Sequence, residues 1–203
     1  MPDFPAGAET ARAAKNALRS QLLTERRTLA PVARRTAAIE VQASTITLVR
    51  RLAPATTAAY VPVGSEPGGD DLLEALTRAL PPGGRLLLPV LRPDADLDWA
   101  VHTGSSSLAP GPRGLREPTG VRLGVEAVRE ADLVIVPALA VDMAGIRLGR
   151  GGGSYDRVLR RTTSAVAVAL LYDAELLDRV PAEPHDRPVQ MAITPTRGCV
   201  TFT

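Results

Sequence analysis

Cysteine and histidine are scarce in this chain. Cys199 is the single cysteine among 203 residues, and there are two histidines. A lone cysteine excludes a disulfide framework within the chain, and the lack of a Cys/His cluster disfavours a structural zinc site. Cysteine usage of this kind is typical of a protein that works in a reducing compartment.

Long apolar runs and aromatic side chains are also lacking. No segment approaches the roughly 18 apolar residues that a membrane-spanning helix requires. The N-terminus has no basic stretch followed by an apolar one, as a secretion signal would have. These absences predict a soluble, cytoplasmic protein without a membrane partner. Because aromatic residues make up only 3% of the chain, the core must consist mainly of Leu, Val, Ile and Ala.

Basic residues are plentiful but dispersed along the chain. Lys15 is the single lysine among 24 Lys and Arg residues, and the formal net charge is +2. A protein that binds nucleic acid would show a clustered basic face, so we expect no nucleic-acid partner, whereas a small anionic ligand suits this balance. No long apolar surface stripe is left unassigned, which predicts a monomer.

The first fifty residues carry helical periodicity. From Glu9 onward, leucines at near-helical spacing predict an amphipathic helix. Lys15 and Arg19 lie four residues apart on one face of this helix, where they either share an anion or form a solvated basic face. A second helix is predicted to begin at Pro31 and to end before Pro54.

Further along, short apolar runs alternate with helical patterns. Asp70 is expected to cap a helix, residues 108–120 to form a Pro/Gly-rich loop, and residues 176–177 to lie in a short helix. The alternation predicts an α/β fold: a three-layer sandwich with a largely parallel central sheet covered by helices, and short C-terminal strands. After a flexible tail over residues 1–8, residues 9–203 are expected to form a single domain. Strands are predicted over residues 56–61, 85–90, 98–102, 134–142, 165–171, 190–194 and 199–203.

A glycine-rich loop follows the predicted strand 134–142 and leads into a helix. Backbone N–H groups around Gly151, Gly152 and Gly153, next to a helix N-terminus, form an anion site, to which Arg147 and Arg150 add positive charge. The loop matches neither the P-loop nor the dinucleotide-binding fingerprint. In open parallel sheets the ligand lies beyond the carboxyl ends of the strands. Glu66 falls there, although an exposed loop acid is the alternative interpretation.

Five motifs, taken in order, carry a family resemblance. They are Lys15-x-x-x-Arg19, Tyr60-x-Pro62-x-x-x-Glu66, Glu117-Pro118, the segment from Arg147 to Arg157, and Pro181-x-Glu183-x-His185-Asp186. In this order and spacing they resemble the 5-formyltetrahydrofolate cyclo-ligase family, also called 5,10-methenyltetrahydrofolate synthetase. The resemblance covers nearly the whole chain beyond the tail, and Arg-Leu-Gly-x-Gly-x-Gly-x-Tyr-Asp is its most discriminating part.

The resemblance implies an enzyme of one-carbon metabolism. It implies an ATP- and Mg²⁺-dependent ligase that converts 5-formyltetrahydrofolate to 5,10-methenyltetrahydrofolate and releases ADP and phosphate. In the family's mechanism the formyl oxygen is phosphorylated before N10 attacks the formyl carbon. Catalysis of this kind depends mainly on positioning and on charge neutralisation.

The resemblance also implies residue roles. Lys15, Arg147 and Tyr155 are implied to be catalytic, Asp156 and Asp186 to bind Mg²⁺, and His185 to orient a neighbouring group. The implied substrate-binding residues are Arg19, Val61, Glu66 and Tyr155. The implied ATP-binding residues are Lys15, Arg19, Arg147, Leu148, Gly149, Arg150, Gly151, Gly152, Gly153, Ser154 and Tyr155.

Two positions depart from the family pattern. Ser154 stands where members commonly have the first of two adjacent tyrosines, and residues 67–70 replace a familiar threonine-containing segment. The departures keep two other functions open. One is a non-catalytic protein that binds folate or nucleotide, and the other is a diverged ATP-dependent ligase acting on another amide substrate.

Overall fold

A computed structural model describes residues 6–183 and 186–202, which form four α-helices and twelve β-strands. The helices are α1 (Ala6–Thr28), α2 (Pro31–Leu52), α3 (Leu72–Ala79) and α4 (Ser154–Arg161). The strands are β1 (Thr56–Ala58), β2 (Arg85–Leu91), β3 (Leu97–Val101), β4 (Leu108–Pro110), β5 (Arg116–Pro118), β6 (Leu133–Pro137), β7 (Ala140–Asp142), β8 (Arg147–Leu148), β9 (Val166–Leu170), β10 (Leu176–Leu177), β11 (Met191–Thr194) and β12 (Gly198–Thr201).

A seven-stranded sheet in the order β12-β11-β9-β6-β1-β2-β3 forms the centre of the molecule. The inner strands are parallel, and the two edge strands β3 and β12 pair antiparallel with β2 and β11. The predicted α/β fold with a largely parallel sheet and short C-terminal strands is confirmed.

Strand β6 shows how both faces of the sheet become buried. Successive side chains of a strand point to opposite faces. Leu133 and Ile135 therefore pack with α2 and α3 on one face, whereas Val134 and Val136 pack with Val158 of α4 on the other. The sheet thus lies between two helical layers, as a continuous apolar strand predicts.

Helix α1 lies against a second, smaller sheet. This sheet has the order β10-β7-β8. Leu22 of α1 is buried there in a small cluster with Leu139, Leu148 and Val180. The small sheet therefore holds α1 beside the end of β6, where the cavity described below opens.

Helix boundaries follow local signals closely but not everywhere. Helix α2 begins at Pro31, as predicted, and stops where Ala53 adopts a left-handed conformation. Helix α1 already includes residues 6–8 of the expected tail, and residues 1–5 lie outside the described residues. Asp71 rather than Asp70 occupies the N-cap position of α3, and it makes no side-chain capping hydrogen bond. The prediction of Asp70 as the cap was wrong.

The predicted strand over residues 134–142 is broken into β6 and β7, which belong to different sheets. Pro137 still pairs with Leu170 of β9, but the Leu139 N–H donates to the Leu148 carbonyl in the small sheet at 2.7 Å. The carbonyls of Pro137 and Ala138 accept hydrogen bonds from Arg147 and Arg26, which hold the chain where it leaves the central sheet.

Two other segments differ from prediction. Residues 108–120 contain a two-stranded ribbon, β4 and β5, because the carboxylate of Glu117 accepts the Leu91 N–H at 2.8 Å and fixes the segment to the end of β2. The pair Leu176–Leu177 is a strand rather than a helix, since it pairs parallel with β7.

Within the described residues, none of the helices combines the length and the hydropathy needed to cross a membrane.

Candidate active site

A cavity of about 600 Å³ opens beyond the carboxyl ends of β1, β2 and β6. Every described residue to which the sequence assigned a role lines this cavity. Because these residues come from distant parts of the chain, the cavity is the candidate active site. They are Lys15, Arg19, Val61, Glu66, Arg147, Leu148, Gly149, Arg150, Gly151, Gly152, Gly153, Ser154, Tyr155, Asp156 and Asp186.

The glycine-rich loop forms one wall of the cavity. Gly151 has φ +99°, and a Cβ added there would lie 3.4 Å from Arg19 Cζ. A Cβ on Gly149 would lie 2.6 Å from Arg147 Nη1. Glycine at these positions therefore lets the backbone approach both guanidinium groups closely. The loop ends at Gly153, the N-cap of α4, where no side chain caps the helix N-terminus.

Arg147 is held beneath this loop. Arg147 is only 6% exposed. Its Nη2 donates to Asp156 Oδ1 at 2.6 Å and its Nη1 to the Pro137 carbonyl at 3.1 Å. Its Nε is buried and has no hydrogen-bond partner within the described part of the chain. A buried cation with an unused N–H beside an open helix N-terminus suits an anionic ligand.

Lys15 lies opposite, on α1, and is equally buried. Its Nζ contacts Glu183 Oε2 at 2.7 Å and Asp186 Oδ2 at 2.6 Å. The Glu183 N–H also donates to Asp186 Oδ2 at 2.7 Å. Lys15 and Asp186, for which the family resemblance implies different roles, are therefore paired with each other.

Glu66 is a buried carboxylate in the loop after β1. Its Oε2 accepts the Val63 N–H at 3.0 Å, and its Oε1 lies 3.1 Å from Arg150 Nη2. Burial raises the pKa of Glu66, and the nearby charge of Arg150 only partly offsets this effect. The alternative of an exposed loop acid is excluded, because the side chain is 8% exposed.

Two tyrosines fix the loop that carries Glu66. The Tyr60 hydroxyl donates to the Pro67 carbonyl at 2.8 Å, and the Tyr172 hydroxyl donates to the Ser65 carbonyl at 3.2 Å. These bonds on both sides of Glu66 hold its carboxylate toward the cavity before a ligand arrives.

Tyr155 lies at the start of α4 and contacts both halves of the core. Its hydroxyl oxygen is buried and has no hydrogen-bond partner among the described residues. Burial, reinforced by the charge of Glu66, raises its pKa well above the ordinary value. Tyr155 therefore stays protonated at neutral pH and is available as a donor to a ligand.

Ser154 replaces the family's tyrosine and makes a contact of its own. Its Oγ donates to the Ala95 carbonyl at 2.6 Å. Close by, Asp96 receives two hydrogen bonds from Arg161 at 2.9 and 2.6 Å. These contacts fasten the beginning and end of α4 to the turn between β2 and β3, so Ser154 contributes to holding the glycine-rich loop.

Sequence reasoning missed Arg26, which also lines the cavity. Arg26 is 2% exposed and is bound by both carboxylate oxygens of Glu175. A signal was present in the sequence, because residues 15, 19, 22 and 26 recur on one face of a helix. The same prediction missed the rim arginines Arg12, Arg113 and Arg116.

Two carboxylates of the cavity, Asp156 and Asp186, offer the hard oxygen ligands that magnesium prefers. Within residues 6–183 and 186–202, no three His, Cys, Asp or Glu side chains gather into a metal-binding group. Asp156 and Asp186 nevertheless line the same cavity. Mg²⁺ that arrives with a nucleotide is usually held by one or two carboxylates together with phosphate oxygens and water, so this donor set fits such an ion. His185 lies outside the described residues.

Comparison with known proteins gives an independent finding. The chain matches the 5-formyltetrahydrofolate cyclo-ligase family over residues 11–195. It is 43% identical over 194 residues to a protein of Mycolicibacterium smegmatis named 5-formyltetrahydrofolate cyclo-ligase, covering 93% of this chain and 97% of the relative. A protein of Escherichia coli K12 with the same name is 32% identical over 146 residues, which cover 70% of this chain and 79% of the relative.

Solved structures agree with the sequence comparison. The NMR structure of Aquifex aeolicus 5,10-methenyltetrahydrofolate synthetase matches with a TM-score of 0.75 and 27% identity, covering 88% of each chain. A synthetase of Mycoplasma pneumoniae matches with a TM-score of 0.70 at 21% identity, over 89% of this chain and 98% of that one. The second likeness supports the fold alone.

Proposed function

Because this chain belongs to the 5-formyltetrahydrofolate cyclo-ligase family, a family of ligases, we propose that it converts 5-formyltetrahydrofolate to 5,10-methenyltetrahydrofolate. The proposed reaction uses ATP and Mg²⁺ and releases ADP and phosphate. The observation that carries the proposal is one cavity that contains both a glycine-rich loop with buried cations and a buried carboxylate. A phosphate and a pterin ring can therefore bind side by side in it.

The formyl carbon of 5-formyltetrahydrofolate is a poor electrophile, so the proposed chemistry first activates it. The formyl oxygen attacks the γ-phosphorus of ATP, and the bond to ADP breaks. N10 then attacks the activated formyl carbon and loses its proton, and the carbon–oxygen bond breaks as phosphate leaves. The protein needs no covalent partner for these steps, since positioning and electrostatic stabilisation supply most of the acceleration in phosphoryl transfer.

The glycine-rich loop, Arg147 and Lys15 form the proposed phosphate side. The open N-terminus of α4 offers backbone N–H donors, and the two buried cations neutralise the charge that develops on the transferring group. Both cations already hold carboxylates. On this proposal, phosphate oxygens replace or join the carboxylates as partners of Lys15 and Arg147, and the backbone around the site does not have to rearrange.

The proposed magnesium ligands are Asp156 and Asp186. Arg147 engages Asp156 Oδ1, and Oδ2 of the same carboxylate makes no hydrogen bond within the described ranges. When bound, the ion would supply charge neutralisation for the phosphates.

Glu66 and Tyr155 form the proposed folate side. The pterin ring carries an amino group and a ring N–H on one edge, and a carboxylate accepts both. The Tyr155 hydroxyl is buried without a hydrogen-bond partner among the described residues, and Tyr155 lines the same cavity as Glu66 and Arg147. On this proposal, Tyr155 donates a hydrogen bond at the boundary where the formyl oxygen and the γ-phosphate meet.

Purified protein is expected to form methenyltetrahydrofolate from 5-formyltetrahydrofolate, ATP and Mg²⁺ over many turnovers. The absorbance of the methenyl product measures the reaction, and omission of ATP or of Mg²⁺ serves as the control. Tight folate binding without turnover would instead favour a non-catalytic binding protein. ADP release with a different amide, but not with this folate, would favour a diverged ligase.

Glu66→Gln is expected to raise KM for 5-formyltetrahydrofolate by about tenfold to a hundredfold, because a charge-assisted hydrogen bond contributes roughly 1.5–3 kcal/mol. Steady-state kinetics measure this effect. KM for ATP should change little.

The same substitution should alter the pH dependence of stability. Burial raises the pKa of Glu66 in the folded state, so between its ordinary and raised pKa values the native protein holds more protons than the unfolded chain. Stability therefore falls as pH rises through this window. Urea unfolding as a function of pH should show a smaller fall in Glu66→Gln than in the exposed control Glu40→Gln. Identical profiles for the two variants would contradict this interpretation.

A further inference from the structure

Arg26 is a buried guanidinium group whose orientation is fixed by several partners. Its Nε donates to Glu175 Oε1 at 2.6 Å, and its Nη2 donates to Glu175 Oε2 at 2.8 Å and to the Ala138 carbonyl at 2.6 Å. The Arg26 Cζ also lies 5.7 Å from the centre of the Tyr172 ring. Three hydrogen bonds from Nε and Nη2 and the contact with the Tyr172 ring leave the group little freedom to turn.

The third nitrogen of this group, Nη1, is used differently. It makes no hydrogen bond in the described part of the chain. It also differs from the unpaired Nε of Arg147, which is fully buried. Nη1 therefore retains accessible surface although the residue is 2% exposed. Because Arg26 lines the cavity, the accessible N–H groups face that space.

The neighbours of Arg26 identify the part of the cavity that it faces. Its Cζ lies near the Tyr172 ring, and the Tyr172 hydroxyl donates to the carbonyl of Ser65, the residue before Glu66. An acceptor, the carboxylate of Glu66, and a fixed donor, Nη1 of Arg26, therefore belong to one cavity and are linked through Tyr172. A ligand that satisfies both must present donors and an acceptor along one edge.

We propose that Arg26 Nη1 donates a hydrogen bond to the 4-carbonyl oxygen of the pterin ring while Glu66 accepts the 2-amino and N3–H groups of the same edge. This assignment rests on the proposed function. The 2-amino-4-oxopyrimidine edge presents donor, donor and acceptor in a row, which matches a carboxylate beside a guanidinium group. Arg26 thus determines specificity for the oxo form of the ring, and Glu175 positions it.

The test compares binding of 5-formyltetrahydrofolate with binding of its 4-thioxo analogue, measured by calorimetry. The analogue keeps both donors, but its sulfur is a weaker acceptor. Wild-type protein is expected to bind the oxo ligand about tenfold more tightly. Arg26→Lys keeps a cation beside Glu175 but loses the planar guanidinium group with its fixed N–H directions. It should weaken binding of the oxo ligand about tenfold and bring the ratio of oxo to thioxo affinity near one. ATP affinity should stay within about twofold, which a general structural defect would not allow.

Arg27→Lys, at an exposed neighbouring position on α1, is the matched control and should keep the wild-type ratio. An unchanged ratio in folded Arg26→Lys would overturn the assignment while leaving the proposed reaction intact. Failure of the wild-type protein to bind either folate would overturn the proposed function as well. Should Arg26→Lys not fold, the wild-type ratio decides: a tenfold preference supports the assignment, and equal affinities overturn it.

Discussion

Replacing Arg147 by alanine is expected to lower kcat/KM for ATP by about a hundredfold to a thousandfold while the protein remains folded. Arg147 lies under the glycine-rich loop, and Gly149 leaves space for its Nη1. Removing the guanidinium group deletes the cation and the unused Nε–H on the proposed phosphate side. Asp156 tolerates the loss of its partner, because its side chain is 19% exposed and lies in the first turn of α4, where the helix dipole favours a carboxylate.

Initial-rate kinetics and nucleotide binding measure this effect, with circular dichroism as the check on folding. Arg160→Ala removes the same side chain from an exposed position of the same helix and should leave both parameters unchanged. Lys15→Ala is expected to weaken ATP binding in the same direction. Unchanged ATP affinity in both Arg147→Ala and Lys15→Ala would remove these residues from the phosphate site.

Glu175→Ala is expected to lower the free energy of unfolding by about 3–5 kcal/mol, since removal of one partner leaves a buried charge uncompensated. The side chains of Arg26 and Glu175 are 1% and 4% exposed. Glu175 also accepts the Tyr172 N–H at 2.9 Å, so its loss leaves three donor nitrogens, two of Arg26 and one of Tyr172, without this acceptor. Urea unfolding at neutral pH measures the change.

The pair Arg85 and Glu130 provides a matched comparison on the surface. Its N–O distance is also 2.6 Å, but its side chains are 46% and 63% exposed. Glu130→Ala should therefore cost only about 0–1 kcal/mol. Replacing both Arg26 and Glu175 by apolar residues of similar volume should restore much of the stability lost in Glu175→Ala. Equal losses from Glu175→Ala and Glu130→Ala would contradict the role assigned to burial.

The predictable parts of the fold were those with local signals. Helix α2 begins at Pro31 and ends before Pro54 as expected, because proline restricts the backbone conformation of the residues next to it. The break after Pro137 was not predictable, since the next strand pairs with β8 and β10 in a separate sheet, which no local pattern shows. The ribbon around Glu117 was missed for a similar reason, because a carboxylate bound to the end of β2 stabilises it.

The site was predictable as a set of residues but not as an arrangement. The family resemblance is confirmed, and the motifs identified side chains that line one cavity. No local pattern shows that Lys15 contacts Asp186, because 171 residues separate them. Their roles in binding phosphate and metal, like that of Asp156, stay predictions. Arg26 is the opposite case, since its helical spacing from Arg19 was visible before the structure.

The ion pairs that line the cavity also bear on the end of the catalytic cycle. On the proposed function, ADP and phosphate must leave a pocket with strong cations before the next turnover begins. Lys15 and Arg147 have carboxylates within reach, and these reclaim the cations as each anion departs. If ATP binds as proposed, these carboxylates would compete with ADP and phosphate for the cations and so favour product release.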